Sequence, residues 1–301
     1  MEVCRIVKLC GKKHWVFDGK NIFPAFPAGK FELTSQNLKN RLAVGDFVKI
    51  REQNGRDPLI VEILPRKNKL SRKITFTNKE HIVAANIDEA CIVVAPNPVL
   101  KRGLVDRFLS ACNAEGIPLF VAINKSDLLD PSEIEDFKKI YEEYGLKVFV
   151  TSALDGRGFD TLSNYVKNKW VLLVGHSGVG KSSIANFLCP EANLKVGEVD
   201  EENLKGKHIT TSSTAVKLAD GGFLVDTAGL REFALYNVSQ RQIQSAFPNI
   251  DKLSFNCKFS NCTHRNEIGC AVLEAISGNS LDLEEYNSYL TLLKEANDIT
   301  K

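Results

Sequence analysis

Eight consecutive residues, Gly175-His176-Ser177-Gly178-Val179-Gly180-Lys181-Ser182, carry the most specific chemistry in this chain of 301 residues. Their spacing is that of a phosphate-binding loop, G-x-x-x-x-G-K-[ST]. Gly175, Gly178 and Gly180 permit a tight turn whose N–H groups face phosphate oxygens. The backbone of His176, Ser177, Val179 and Ser183 completes that cradle. Lys181 supplies a cation for the β- and γ-phosphates, and Ser182 a hydroxyl for Mg²⁺. Before the loop runs Trp170-Val171-Leu172-Leu173-Val174, and after it Ser183-Ile184-Ala185-Asn186-Phe187-Leu188. The expectation is a strand, a turn and a helix whose positive dipole end meets the phosphates.

Other segments suit a purine base and a metal-bound triphosphate. Asn124-Lys125-Ser126-Asp127 follows the apolar run Leu119–Ile123. A carboxylate at Asp127 accepts from the N1–H and N2–H₂ edge of guanine, a donor pair that adenine lacks. Asn124 can tie loops together, and the Lys125 stem can lie against the ring. Ser152-Ala153 follows a further strand, and the Ala153 N–H can reach guanine O6. Past the glycine loop, residues 193–214 are polar and without period, which predicts a mobile loop. It ends in threonines, of which Thr210 or Thr211 is placed to complete the Mg²⁺ shell. Asp226-Thr227-Ala228-Gly229 then offers Asp226 to the metal and the Gly229 amide to the γ-phosphate. GTP or GDP with Mg²⁺ is therefore the expected ligand.

A separate constellation lies near the C-terminus. Cys257-x₄-Cys262-x-His264-x₅-Cys270 supplies three thiols and one imidazole. Three sulfurs and a nitrogen suit one closed, tetrahedral, structural Zn²⁺. Cys4, Cys10, Cys91, Cys112 and Cys189 sit in apolar sequence and are expected to be core thiols.

The elements that must position these residues fall into three parts. Residues 1–70 read as all-β, with short runs at Cys4–Leu9, His14–Phe17, Gly29–Leu33, Asp46–Ile50 and Leu59–Leu64 separated by glycine turns. That pattern predicts a small OB-fold barrel. Pro65 to Lys73 reads as a basic linker. Strands and helices then alternate over residues 71–235: strands at Ala90–Ala95, Leu119–Ile123, Lys147–Thr151, Trp170–Val174 and Gly222–Val225, helices at Leu104–Glu115, Asp130–Tyr144 and Gly158–Asn168. Alternation of this kind predicts an α/β domain with a parallel sheet covered on both faces. Residues 236–301 predict helices at Ser239–Phe247, Ala271–Ser277 and Leu283–Glu295, stapled by the metal, with Tyr286 and Tyr289 sharing a packed face.

Charge is unevenly spread. Residues 1–75 hold 16 Lys and Arg against 7 Asp and Glu, although the whole chain is only +2. A basic N-terminal part suits a polyanionic partner. Lys12, Lys13, His14, Trp15 and Phe17 set cations beside aromatics; the two rings either form a nucleic-acid surface or fill the barrel core. No apolar leader follows Met1, and no run reaches the ~18 apolar residues of a membrane span, so a cytoplasmic protein with reduced thiols is expected.

The motifs are those of the P-loop GTPases, but Asn124–Asp127 and Ser152-Ala153 precede the phosphate loop instead of following it. With a barrel before and a cysteine-rich tail after, the chain resembles the RsgA (YjeQ) family of circularly permuted, ribosome small-subunit-dependent GTPases. The resemblance covers nearly the whole chain and implies GTP hydrolysis in late maturation of the small subunit. It implies rRNA as the partner, without membrane or DNA, and a monomer is the default expectation. The family's G-R-H-T-T-T reads here Gly206-Lys207-His208-Ile209-Thr210-Thr211, its D-T-P-G reads Asp226-Thr227-Ala228-Gly229, and its E-P-G-C reads Glu267-Ile268-Gly269-Cys270. None of these departures removes a ligand. Leu230 stands where many GTPases keep a water-orienting glutamine. The family proposal makes His208 the water-positioning group, alongside Lys181 as the other catalytic residue. The alternative is a nucleic-acid-binding protein with a vestigial nucleotide site, which the intact Lys181, Ser182, Asp226 and Asp127 oppose.

Overall fold

Five N-terminal strands close on themselves in the computed structural model, which describes residues 1–29, 38–74, 79–97, 102–192, 194, 213–227 and 233–297. They are β1 (Glu2–Cys10), β2 (Lys13–Phe17), β3 (Ile22–Pro27), β4 (Phe47–Gln53) and β5 (Arg56–Ile63). Their order is β1-β2-β3-β5-β4, and β4 pairs back onto β1, so no barrel edge is left open. Ile6, Val16, Ala25, Val48, Ile50 and Ile60 fill the interior. The period of two sends His14 and Val16 inward. Trp15 and Phe17 therefore point out of the barrel. Both pack on the apolar layer of the neighbouring sheet, Phe17 edge-on to Phe223 at 5.1 Å. They are neither barrel core nor an open stacking surface.

The third strand lies ahead of the expected Gly29–Leu33, most of which falls outside the described residues. Pro24 and Pro27 in β3 hide its strand character in sequence. The expected basic linker is a second departure. Lys69–Lys73 forms β6, paired antiparallel with β7 (Glu80–Ala85). Leu70 is buried there, and the Lys69 ammonium meets the Glu80 carboxylate at 2.5 Å. Pairing with a buried partner strand gives this charged stretch its structure.

The second sheet follows the alternation of the sequence. Its elements are β8 (Glu89–Val94), α1 (Arg102–Ala114), β9 (Leu119–Ile123), α2 (Pro131–Glu142), β10 (Lys147–Val150), α3 (Phe159–Val166), β11 (Trp170–Val174), α4 (Lys181–Leu188), β12 (Thr214–Lys217) and β13 (Phe223–Asp226). Strand order is β10-β9-β8-β11-β13-β12; all neighbours are parallel except β12. Successive residues of β11 face opposite layers. Trp170, Leu172 and Val174 join one apolar layer with α1, whereas Val171 and Leu173 join the other with α3 and α4. Lys8 of β1 pairs with Thr214 of β12, which links barrel and sheet.

After β13 the chain enters four helices, α5 (Gln240–Gln244), α6 (Pro248–Ser254), α7 (Ala271–Ser277) and α8 (Leu283–Asn297). The expected helix Ser239–Phe247 is shorter than predicted, and Pro248 opens α6 directly behind it. Phe247, Val272, Tyr289 and Leu292 belong to the same apolar layer as α1, so these helices share the sheet's core. Tyr286 and Tyr289 are both buried. Arg107 of α1 forks onto Glu295 of α8 through its Nε and Nη2. Of the five expected core thiols, Cys10 is exposed, because it ends β1 at a turn. Among the described residues no helix is long and apolar enough to cross a membrane.

Candidate active site and metal centre

The parallel strands end together at one edge, where sheets of this kind collect ligands. Asn124 follows β9, Ser152 follows β10, Gly175 follows β11 and Asp226 ends β13. Asn124 Nδ2 donates to the Val179 carbonyl at 2.9 Å, across a separation of 55 residues. The contact forbids a side chain at Gly180, whose Cβ would fall 2.1 Å from Asn124 Nδ2. Gly175, at φ +143, likewise has its Cβ position 2.4 Å from the Val93 carbonyl. Glycine is thus demanded by close approach as well as by backbone angle. The Val179 side chain is buried in the apolar layer, which leaves only its backbone to the loop. His176 is exposed, and its Nδ1 lies 2.8 Å from the Ser177 carbonyl.

Lys181 is only 8 % exposed. Its Nζ donates to the carbonyls of Gly175 at 3.0 Å and His176 at 2.8 Å. Burial pulls its pKa down and Asp226 pulls it back up. Ser182 Oγ donates to Asp226 Oδ2 at 3.0 Å. The other oxygen, Asp226 Oδ1, is buried with no partner among the described residues. Burial raises the Asp226 pKa, against the Ser182 hydroxyl and Lys181. A hydroxyl and a carboxylate with one oxygen unsatisfied fit a hard divalent cation such as Mg²⁺. Ser183 lies half-buried on the first turn of α4.

On the base side, Ser152 Oγ donates to Asp127 Oδ1 at 2.6 Å. The same hydroxyl accepts from the N–H groups of Leu154 at 3.3 Å and Asp155 at 3.4 Å. Lys125 takes a left-handed backbone, φ 58°, and its Nζ donates to the Asn97 carbonyl at 2.8 Å. Ala153 is half-buried against the layer of α3 and α4. His208, Thr210, Thr211 and Gly229 lie outside the described residues.

The C-terminal cluster is compact. One donor atom each from Cys257, Cys262, His264 and Cys270 lies within 4.8 Å of every other. Cys257 Sγ is 3.9 Å from Cys270 Sγ, and His264 Nδ1 is 3.4 Å from the latter. Two ligands held ~2.3 Å from a zinc at the tetrahedral angle sit roughly 3.8 Å apart, so the cluster fits that ion. His264 Nδ1 faces the sulfurs while Nε2 lies 3.4 Å from Gln244 Oε1. Gln244 is thereby placed to fix the ring, a role of the kind that orients metal-bound imidazoles. The Tyr286 hydroxyl holds the His264 carbonyl at 2.7 Å. Nothing local in the sequence marks Gln244 or Tyr286, which stand 20 and 22 residues from His264. Thr263, Arg265 and Asn266 donate to Glu267, and against the effect of burial these bonds hold its carboxyl at about 2.

A glycine loop at the end of a central parallel strand, with an Asn-Lys-x-Asp turn beside it, defines a P-loop GTPase; here the base-side motif precedes the phosphate loop in the chain. The family model described as RsgA GTPase matches residues 63–236. The small ribosomal subunit biogenesis GTPase RsgA of Bacteroides fragilis (strain YCH46) is 37% identical over 272 residues, 89% of this chain and 88% of that protein. The protein of the same name from Porphyromonas gingivalis (strain ATCC 33277) is 35% identical over 304 residues, 97% of this chain and 96% of its own. The crystal structure of YjeQ from Thermotoga maritima superposes with TM-score 0.75 at 26% identity, covering 98% of each chain. YloQ, described as a circularly permuted GTPase, shares the fold, with TM-score 0.70 at 24% identity over 99% of this chain and 96% of its own. This chain belongs to the RsgA GTPase family.

Proposed function

We propose that the cleft binds GTP, hydrolyses it to GDP and phosphate, and couples that step to maturation of the small ribosomal subunit. The observation that carries the reading is the bond from Asn124 to the Val179 carbonyl, which joins the base-side turn to the phosphate loop. The second half rests on relatives named small ribosomal subunit biogenesis GTPases.

In this reading Asp127 accepts from the guanine edge, Ser152 aligns that carboxylate, and the Ala153 N–H meets O6. Lys125 covers the base. The backbone of residues 175–183 wraps the phosphates, and Lys181 leaves its two carbonyls for the β- and γ-oxygens. Exchange of a carbonyl for a phosphate costs the ammonium little, since both are acceptors. Ser182 and Asp226, with Thr210 or Thr211, hold Mg²⁺, which neutralises phosphate charge when bound. Gly229 meets the γ-phosphate. His208 positions the attacking water, in place of the glutamine that Leu230 replaces. Hydrolysis by the free protein is accordingly slow. Zinc on Cys257, Cys262, His264 and Cys270 is structural.

The parts are residues 1–70 as a barrel that binds rRNA, 71–235 as the GTPase domain and 236–301 as the zinc-binding helices. Lys12, Lys13, Arg51 and Arg56 are exposed on the barrel and suit phosphate contacts. The protein is proposed to act as a cytoplasmic monomer. GTP turnover measured with and without purified small subunits tests the whole. Strong stimulation is expected; none removes the ribosomal half, and no heat of GDP binding removes the nucleotide half.

A further inference from the structure

The turn that carries Ala153 contains no large apolar anchor of its own: Leu154, its large apolar residue, is 84% exposed. The turn is closed by Gly156 N–H to the Ser152 carbonyl at 2.9 Å and Ser152 N–H to the Arg157 carbonyl at 3.1 Å. At its far end Gly158, φ +76, lies so close to β10 that a Cβ there would fall 1.9 Å from the Val150 carbonyl. The middle of the turn rests on a ring from another element. A Cβ on Gly156 would stand 3.1 Å from Phe187 Cζ. Phe187 is 44% exposed, yet it stacks on buried Phe159 with centroids 3.9 Å apart and planes at 24°. That stack fixes the ring, with its Cζ and Cε2 the atoms nearest the turn at Gly156.

Phe187 belongs to α4, whose first two residues are Lys181 and Ser182. One two-turn helix therefore supports the phosphate end at its start and the base turn near its end. We infer that Phe187 is a positioning residue for guanine selection, holding the 152–157 turn so that its N–H groups meet O6. This rests on the nucleotide reading above. Adenine presents an amino group where guanine has O6, so a turn held in place rejects adenine as well as accepting guanine. Without the ring the turn keeps its internal hydrogen bonds but loses its floor.

The experiment compares GDP and ADP affinities of the whole zinc-loaded protein by calorimetry, for the native chain, Phe187→Ala and Phe187→Leu. The native chain is expected to prefer GDP. Phe187→Ala is expected to narrow that preference by about tenfold, the worth of one hydrogen bond made against one mismatched. Phe187→Leu, which keeps an apolar floor, is expected to recover most of it. Equal weakening of GDP and ADP would show mere damage to α4 and overturn the inference, as would an unchanged ratio. Where Phe187→Ala does not fold, Gly156→Ala decides: its Cβ presses on the ring at a strained φ, and an unchanged ratio there overturns the inference equally. A native chain that binds GDP no better than ADP sinks the guanine reading itself, and this inference with it.

Discussion

The guanidinium carbon of Arg5 lies 3.4 Å from the centroid of the Trp170 ring. Arg5 is on β1 of the barrel, and Trp170 opens β11, the strand that leads into the phosphate loop. Arg5 also donates Nε to the Gly45 carbonyl at 3.1 Å and Nη2 to the Asn86 carbonyl. One side chain thus joins the barrel, the turn after β7 and the central strand of the sheet. Arg5→Ala removes a stacked cation and the donor to the Asn86 carbonyl, whereas the Gly45 carbonyl keeps its bond from Asn86 Nδ2 at 3.0 Å. The expected cost is about 2–4 kcal/mol of unfolding free energy, read by urea titration. Arg5→Lys is expected to rescue little, because an ammonium lacks the planar fork. Full stability of Arg5→Ala would refute the pin.

Asp127→Asn replaces the carboxylate that is aligned by Ser152. A carboxamide offers one acceptor and a donor, which mismatches guanine and matches xanthine. GTP affinity is expected to fall about a hundredfold, with xanthosine triphosphate taken in its place. Competition binding with both nucleotides checks it, and an unshifted preference would refute the base assignment.

His208→Ala is expected to leave GDP affinity unchanged. Turnover stimulated by small subunits is expected to drop by about 10²-fold or more, the usual worth of a positioned acid–base group. Single-turnover hydrolysis with purified subunits reads it directly. Full stimulated turnover in the variant would discard the role.

Cys262→Ser breaks the cluster of four donors near α5 and α7. Metal content is expected to fall from one zinc per chain to none. Because Phe247, Val272 and Tyr289 share the sheet's apolar layer, the loss should reach beyond the tail. A drop in Tm of roughly 10 °C is expected. Retained zinc, or an unchanged Tm, counts against a structural site.

His81 supplies a pH dependence. Arg72 Nε donates to His81 Nδ1 at 3.2 Å, so that nitrogen must be unprotonated in the fold. Burial, with Lys39 and Arg72 adding to it, pushes the His81 pKa down to about 4 from 6.5. The unfolded chain therefore binds this proton more readily than the native one, and stability rises with pH between those values. Stability is fully present above pH 6.5 and is lost as pH falls toward 4, by on the order of 2 kcal/mol. Urea midpoints across that window, native against His81→Gln, check it. The native protein should show the steeper slope.

Strands buried on both faces were the most legible part of the fold. Leu119–Ile123 and Trp170–Val174 match their expected bounds, because a continuous apolar run admits few other readings. β3 is hidden in the sequence because two prolines sit in it, and β6 because a lysine- and arginine-rich stretch reads as linker until a partner strand is known. Trp15 and Phe17 stay unassigned in the sequence, since alternation puts both rings on one face of their strand but does not say which face lines the barrel. Cys10 looked apolar in sequence and is exposed by the turn that follows it.

By itself the sequence determined which short segments can do chemistry: a glycine loop with Lys181 and Ser182, an Asp127 turn, an Asp226 strand end and four thiol and imidazole donors. These are local properties, set by residue type and spacing along a few turns of backbone. Only the tertiary structure decided which of them meet. Asn124 reaches Val179 because β9 and β11 flank β8 in one parallel sheet, so their carboxyl ends emerge side by side. Gln244 reaches His264, and Phe187 supports Gly156, for the same reason: packing of distant elements sets those distances, and no spacing in the chain encodes them.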